Sequence, residues 1–296
     1  MTRTLTSISD LIMQSCNKAL SERLMHSGSN WRSEIVSLCA GDAEDIICKS
    51  CGEGKVEFFN PFTFSWRCGQ GVCGACRLEA VKKDQLNAVK VWKDNVRANI
   101  LGVLRRCSAP KHYLNANKSS VSAAVWSEAL CVLEGFGLFI FGPSFCGKTY
   151  LAVCVLCEFV LSLTPKFKND WSVVQEPVVL PIFVSVADML LELRDAIGKD
   201  RETDSALINS YCDAPLLVLD DLGSEKPSQW TIQTIYTIVN KRFVNNLPTI
   251  ITSNIGLKTI EDNYNDVSEF SGTRIVARIT RNYKIININN TLRRKV

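Results

Sequence analysis

The segment that most restricts the fold of this chain is a short apolar run, GLFIF (137–141). It enters GPSFCGKT (142–149) and leaves into YLAVCVLCEFVLSL (150–163). Strand, glycine-bearing loop and helix in that order match G-x-x-x-x-G-K-[ST] in the setting its chemistry requires. Backbone N–H groups of such a loop, and of the helix N-terminus after it, point at phosphate oxygens. Lys148 brings a cation to the β- and γ-phosphates, and the Thr149 hydroxyl ligates Mg²⁺. Gly142, Pro143, Ser144, Phe145, Cys146, Gly147, Lys148, Thr149 and Tyr150 are therefore the expected phosphate-binding residues. A bare loop matches this pattern by chance often enough; the flanking strand and helix argue against chance here. Phe145 stands out, because a small residue suits that place and a bulky one has to tolerate the loop's dihedral angles.

The C-terminal part continues the alternation. Apolar strands are expected at PIFVSV (181–186), PLLVLD (215–220) and PTIITSN (248–254), with helices at about 122–134, 188–197 and 228–244. Near-continuous apolar strands separated by helices specify a parallel sheet covered on both faces. LLVLDD (216–221) ends in two carboxylates 72 residues after Lys148. Asp220 at the strand tip can bind Mg²⁺ directly or through water, and Asp221 can orient or deprotonate an attacking water. Without the loop, the same pair would read as a helix N-cap after a buried strand. Asn254 ends the next strand, where it can position water beside a γ-phosphate or serve as a plain turn residue. Lys148, Thr149 and Asp220 are expected to converge on a magnesium–triphosphate at the tips of adjacent strands.

A length of 296 residues leaves room for about two domains. With 46% hydrophobic and 22% charged residues, a fibrous or largely disordered chain is excluded. No run of 18 apolar residues occurs, so no membrane partner is expected. The start, MTRTLTSISD, has no apolar stretch before its first acid, which points to the cytoplasm rather than secretion. Residues 1–118 hold 17 Lys+Arg and 11 Asp+Glu (+6), whereas 119–296 hold 17 and 19 (−2). The basic excess favours an acidic partner or nucleic acid for the N-terminal part. Helical spacing covers 1–45 and returns at 84–106, and over 82–106 Lys82, Lys83, Lys90, Lys93, Arg97, Arg105 and Arg106 form a basic face. That face is either simply solvated or a partner surface, and Trp92 at the apolar spacing belongs with the core. SAPKHYLNANKSS (108–120) is the best linker. The expected division is an N-terminal partner-binding domain at 1–107 with a Cys-rich segment at 46–80, a linker at 108–121 and a nucleotide-binding domain at 122–296.

Thirteen cysteines, an odd number without a signal peptide, argue for reduced thiols rather than disulfides. Cys48-x-x-Cys51 and Cys73-x-x-Cys76, with 21 residues between them, fit a four-thiolate Zn²⁺ ribbon, with Cys68 as a substitute for Cys73. A metal would then hold together a β-rich insert too small for its own core. Cys68, Cys73 and Cys76, with Cys107 31 residues on, also fit plant-type [2Fe–2S] spacing. A third reading leaves the cluster without metal. Cys131, Cys154, Cys157 and Cys212 lie in core-like surroundings and read as small hydrophobes.

Four segments in order, FGPSFCGKTYLA, LLVLDDLGSEKPSQW, LPTIITSNI and TRIVARI, resemble the AAA+ ATPases that load bacterial and phage replicative helicases, the DnaC/DnaI type. They also resemble the related transposition helpers of the IstB type. The resemblance covers roughly 108–296, including the linker motif PKHYLNA. It implies an AAA+ (RecA-like) P-loop parallel sheet flanked by helices. It also implies a small N-terminal helical or zinc-ribbon-like domain, and no separate lid domain after the core. Asp220 would then be the magnesium acid, Asp221 the catalytic acid and Asn254 the first sensor. Arg278 would be an arginine finger reaching a neighbouring subunit, beside Arg274. Arg293, or Arg294 in its place, would be the second sensor. Two departures matter: Phe145 replaces a small residue, and Asp221 is a methylene shorter than the usual glutamate, which suits slow hydrolysis.

The function implied is ATP-dependent loading of a DnaB-type hexameric helicase, with self-association through the ATPase domain and a grip on single-stranded DNA. One alternative is an IstB-like helper acting on double-stranded DNA and a transposase. Another is a nucleotide-gated adaptor with little hydrolysis.

Overall fold

The structure is a computed structural model that describes residues 50–51, 58–60, 65–67, 74–168, 178–196 and 201–288. Of 58–60, 65–67, 74–75, 77 and 201–204 it describes the backbone alone. The chain divides into two compact units, one of residues 1–87 and 167–174 and the other of residues 88–166 and 175–296.

In the first unit, β1 (Phe58–Asn60) pairs antiparallel with β2 (Ser65–Arg67), Phe59 opposite Trp66. Helix α1 (Gly74–Ala98) then begins. Its start lies ten residues before the helical period read from the sequence at 84 and inside the stretch read as Cys-rich and β-prone. The reason is local. ACRLEAVKK contains neither glycine nor proline and is rich in good helix formers, so nothing stops the helix from running back to Gly74. Cys76 therefore sits in the first turn of α1 rather than in a β-type knuckle.

The second unit carries α2 (Ile100–Arg106), α3 (Ala123–Ala129), β3 (Gly137–Phe141), α4 (Lys148–Ser162), β4 (Ile182–Ser185) and α5 (Val186–Ala196). It continues with α6 (Arg201–Asp213), β5 (Leu217–Leu222), α7 (Gln229–Val244) and β6 (Thr249–Ser253). It closes with α8 (Leu257–Asn265), α9 (Ser271–Asn282) and β7 (Tyr283–Asn287). The five strands form a parallel sheet in the order β4-β5-β6-β3-β7.

Strand alternation splits the core into two layers. Leu138, Ile140, Val218 and Ile250 face one way, packed with Leu151 and Val155 of α4. Phe139, Leu217, Leu219 and Ile251 face the other way, packed with Ile235 and Ile238 of α7 and with Ile275 and Ile279 of α9. The stretch read as a linker joins the first layer. Ala109, Leu114 and Val121 are buried there, and the Phe183 N–H donates to the Cys107 carbonyl at 2.8 Å.

The strand order corrects one expectation. β6 lies between β3 and β5, so Lys148 and Asp220 follow strands one slot apart, not adjacent ones. The chain lays down β4 and β5 first and fills the slot beside β3 with β6, which brings Asn254 between the two.

Arg242 of α7 is wholly buried, and all its hydrogen-bond partners are neutral oxygens. Nε donates to Thr249 Oγ1 at 2.8 Å and Nη2 to the Pro248 carbonyl at 2.6 Å. Nη1 donates to the carbonyls of Tyr211, Cys212 and Ala214 at 2.9, 3.2 and 2.8 Å. It thus closes the C-terminus of α6, where a cation also suits the helix dipole, and ties it to the start of β6. Burial pushes its pKa down to about 10, which leaves it charged at neutral pH. Arg242→Met keeps the length and strands several buried acceptors at about 1–3 kcal/mol each. Denaturant unfolding should show a loss of about 3 kcal/mol or more; a variant as stable as the parent would mean that the guanidinium is not the clamp described.

Candidate functional site

The loop from β3 to α4 needs backbone that L-residues avoid. Gly142 has φ +154°, Phe145 +63° and Gly147 +102°. A Cβ on Gly142 would lie 2.2 Å from the Ile288 carbonyl oxygen, so only glycine fits there. Phe145 does tolerate the loop's dihedrals, in the left-handed region and at a cost of roughly 1–2 kcal/mol. Its ring is fully exposed, so its bulk meets nothing.

Lys148 opens α4 and is 7% exposed. Its ammonium donates to the carbonyls of Gly142 and Pro143 at 3.0 and 2.8 Å, and to Asn254 Oδ1 at 2.8 Å. Cys146 Sγ lies 3.9 Å away. The Thr149 hydroxyl reaches Asp220 Oδ1 and Oδ2 at 2.9 and 3.1 Å. The Thr252 hydroxyl donates to Asp220 Oδ1 at 2.6 Å. Burial raises the Asp220 pKa; the two hydroxyls and Lys148 oppose that rise, while neighbouring Asp221 adds to it.

Asp221 stands at φ +64°, where the pairing of β5 with β6 slips between Leu219 and Leu222. Its N–H, out of the ladder, donates to Thr252 Oγ1 at 2.9 Å. Asn254 bridges the two halves of the site. Its Nδ2 donates to Asp221 Oδ1 at 2.7 Å, while its Oδ1 accepts from Lys148 and, at 3.4 Å, from Ser144. Ser144, Lys148, Thr149, Asp220, Asp221 and Asn254 are thus drawn together, as the sequence reading expected of them.

Other expected residues lie elsewhere. The Tyr150 hydroxyl is spent on the Asn117 backbone, accepting from N–H at 2.7 Å and donating to the carbonyl at 3.0 Å. Arg278 on α9 turns to α7: Nε meets Asn240 Oδ1 at 3.1 Å and Nη2 the Tyr236 hydroxyl at 3.3 Å, with the guanidinium 5.4 Å from the Tyr236 ring. Arg274 is exposed. Arg293 and Arg294 lie outside the described residues, as do Cys48, Cys68 and Cys73.

Among the described residues no group of three His, Cys, Asp or Glu side chains is placed to hold a metal. The Zn²⁺ and [2Fe–2S] readings therefore lie outside what is described. Cys107, the fourth ligand of the iron–sulfur reading, is a core residue whose thiol burial pushes up to about 11. Cys154 is likewise pushed up to about 12, so both are neutral apolar fillers.

Two features escaped the sequence reading. Thr252 was passed over beside Asn254; its signal is a hydroxyl in a fully buried strand, TIITS, whose polar groups all need partners. Glu225 accepts from the Gly223 N–H at 2.8 Å and from the Tyr264 hydroxyl, which pins the turn after the acids to α8.

The sequence profile of the IstB-like ATP binding protein family matches residues 134–296, over half of the chain. The chain belongs to this family. Its parallel sheet, with β3 leading through a glycine-bearing loop into α4, is a P-loop fold. The replicative helicase loader DnaC of Escherichia coli strain K12 is 22% identical over 208 residues, covering 70% of this chain and 76% of that protein. The replicative helicase loader DnaI of Bacillus subtilis strain 168 is 24% identical over 152 residues, 49% of this chain and 43% of that protein. Among solved structures, the crystal structure of the DnaC helicase loader aligns with TM-score 0.47 at 26% identity, over 61% of this chain and 100% of that one. The crystal structure of DnaI aligns with TM-score 0.48 at 24% identity, over 61% and 94%.

The loop geometry is testable without a ligand. Gly135 also has positive φ (+93°), but a Cβ there meets nothing within 4 Å. Gly142→Ala should therefore lose more stability than Gly135→Ala, by more than about 1 kcal/mol in thermal melts. Equal losses would show that the Ile288 carbonyl does not confine the loop.

Proposed function

We propose that this chain is an ATP-dependent loader of a DnaB-type replicative helicase, which binds ATP with Mg²⁺ and grips single-stranded DNA during replication initiation. The observation that carries the nucleotide part is the chain Lys148–Asn254–Asp221, in which one amide joins the loop cation to the second acid at 2.8 and 2.7 Å. The loader part rests on likeness to proteins named as replicative helicase loaders.

The residues fit the nucleotide and its metal. The Lys148 ammonium is satisfied by two carbonyls and an amide oxygen, partners that phosphate oxygens can replace with stronger charge-assisted bonds. Thr149 and Asp220 offer hydroxyl and carboxylate oxygens side by side, the hard donors that Mg²⁺ takes. When bound, Mg²⁺ would neutralise charge on the β- and γ-oxygens. Asp221 would accept a proton from the attacking water, held in place by Asn254 Nδ2. Its short side chain suits slow turnover and a switch-like use of ATP. Arg278, held against α7 by Tyr236 and Asn240, would leave them to enter a neighbour's site once subunits associate, supplying positive charge in trans. Residues 1–107 would engage the helicase, and the 122–296 domain would self-associate.

A second reading, a helper acting on double-stranded DNA and a transposase, is favoured by the IstB-like match itself. Affinity capture scored for a hexameric helicase against a transposase separates the two. Lys148→Ala should weaken adenine-nucleotide binding at least tenfold, about 1.4 kcal/mol. Asp221→Asn should keep binding and lose turnover by roughly 10²–10⁴-fold. Arg278→Ala should keep binding and lose turnover only under conditions of assembly. No nucleotide uptake by the wild type would sink the proposal, and loading that survives Asp221→Asn would favour the adaptor.

A further inference from the structure

The two acids of the site share a support. The register slip between Leu219 and Leu222 takes the Asp221 N–H out of the β5–β6 ladder. A buried N–H without a partner is costly. Thr252 on β6, 1% exposed, supplies that partner: its Oγ1 accepts from the Asp221 N–H at 2.9 Å. A hydroxyl that accepts with its oxygen still has its one proton to give. Thr252 gives it to Asp220 Oδ1 at 2.6 Å. Thr149 approaches the same carboxylate from α4.

One hydroxyl therefore stabilises the strained backbone of the second acid and orients the carboxylate of the first. Among the described residues, no other side chain makes both bonds. Asn254, two residues on, bonds the Asp221 side chain rather than its backbone.

We infer that Thr252 is a positioning residue for the magnesium–nucleotide site, which sets the carboxylate of Asp220 and the backbone of Asp221 together. The inference rests on the reading of this site as one for magnesium and nucleotide. Thr252 does not touch the nucleotide in this role; it acts through the acids. Its removal should therefore spare the contacts of the phosphate loop and weaken the response to the metal. Supporting groups behind metal ligands are worth roughly 10–100-fold in metal affinity.

The test uses the full chain and a fluorescent ATP analogue, titrated once in EDTA and once in excess Mg²⁺. The wild type should bind in EDTA and gain affinity with Mg²⁺. Thr252→Val keeps the shape and removes the hydroxyl. It should bind in EDTA like the wild type and lose about tenfold of the Mg²⁺-dependent gain. Thr252→Ser restores the hydroxyl and should restore the gain. Should the valine variant not fold, Thr252→Cys, which keeps only a weak donor, is read on the same pair of titrations. A variant without the hydroxyl that keeps the full Mg²⁺ gain overturns the inference. So does one that weakens equally in EDTA, because the role is then purely structural. A wild type that gains nothing from Mg²⁺ removes the site reading itself, a result distinct from either.

Discussion

Lys148 brings an ammonium group into a nearly buried place, and much of the second unit is arranged around that fact. An ammonium loses a great deal of hydration on burial and tolerates it only when its donors are met. Here two loop carbonyls and the Asn254 amide oxygen meet them. The carbonyls are available because Gly142 lets the backbone pass close beneath Ile288. The amide is available because β6 ends between β3 and β5. Each partner is a neutral oxygen that a phosphate oxygen could replace, which is the use proposed for the arrangement.

The acids opposite are held under strain. Phe145 and Asp221 both sit at positive φ without being glycine, and both lie at the mouth of the site. Residues in that region persist only when their surroundings over-determine them. For Asp221 the surroundings are the Thr252 hydroxyl and the turn that Glu225 and Tyr264 pin in place. For Phe145 they are the loop ends, fixed by β3 and α4. Away from the site, the unit is conventional: two apolar layers on a parallel sheet, with Arg242 satisfying the carbonyls where α6 ends and β6 begins.

Much of this was legible because the chemistry is local. A strand, a glycine loop and a helix are contiguous in the chain, so Gly142, Lys148 and Thr149 declare themselves through spacing. The acid pair is a strand followed by two carboxylates, again a local pattern. α6 and α8 escaped the periodicity reading because their apolar residues are few, and β7 because it is an edge strand of which Ile286 alone is buried; α9 buries only Gly272, Ile275 and Ile279, a narrow stripe. The segment at 108–121 read as a linker because it is polar and carries Pro110, yet a handful of apolar residues, Ala109, Leu114 and Val121, suffice to seat it on the core.

The residues alone determined that the chain holds a P-loop parallel sheet and that Lys148, Thr149, Asp220, Asp221 and Asn254 fall at its loop and strand tips, since strand tips and loop glycines are encoded in short windows. Tertiary structure alone decided that β6 separates β3 from β5, that Thr252 serves both acids, and that Tyr150 and Arg278 turn away from the loop toward Asn117 and Tyr236. Strand order and hydroxyl direction depend on which distant segments pack together. That is a property of the whole sheet and is written in no single window of sequence.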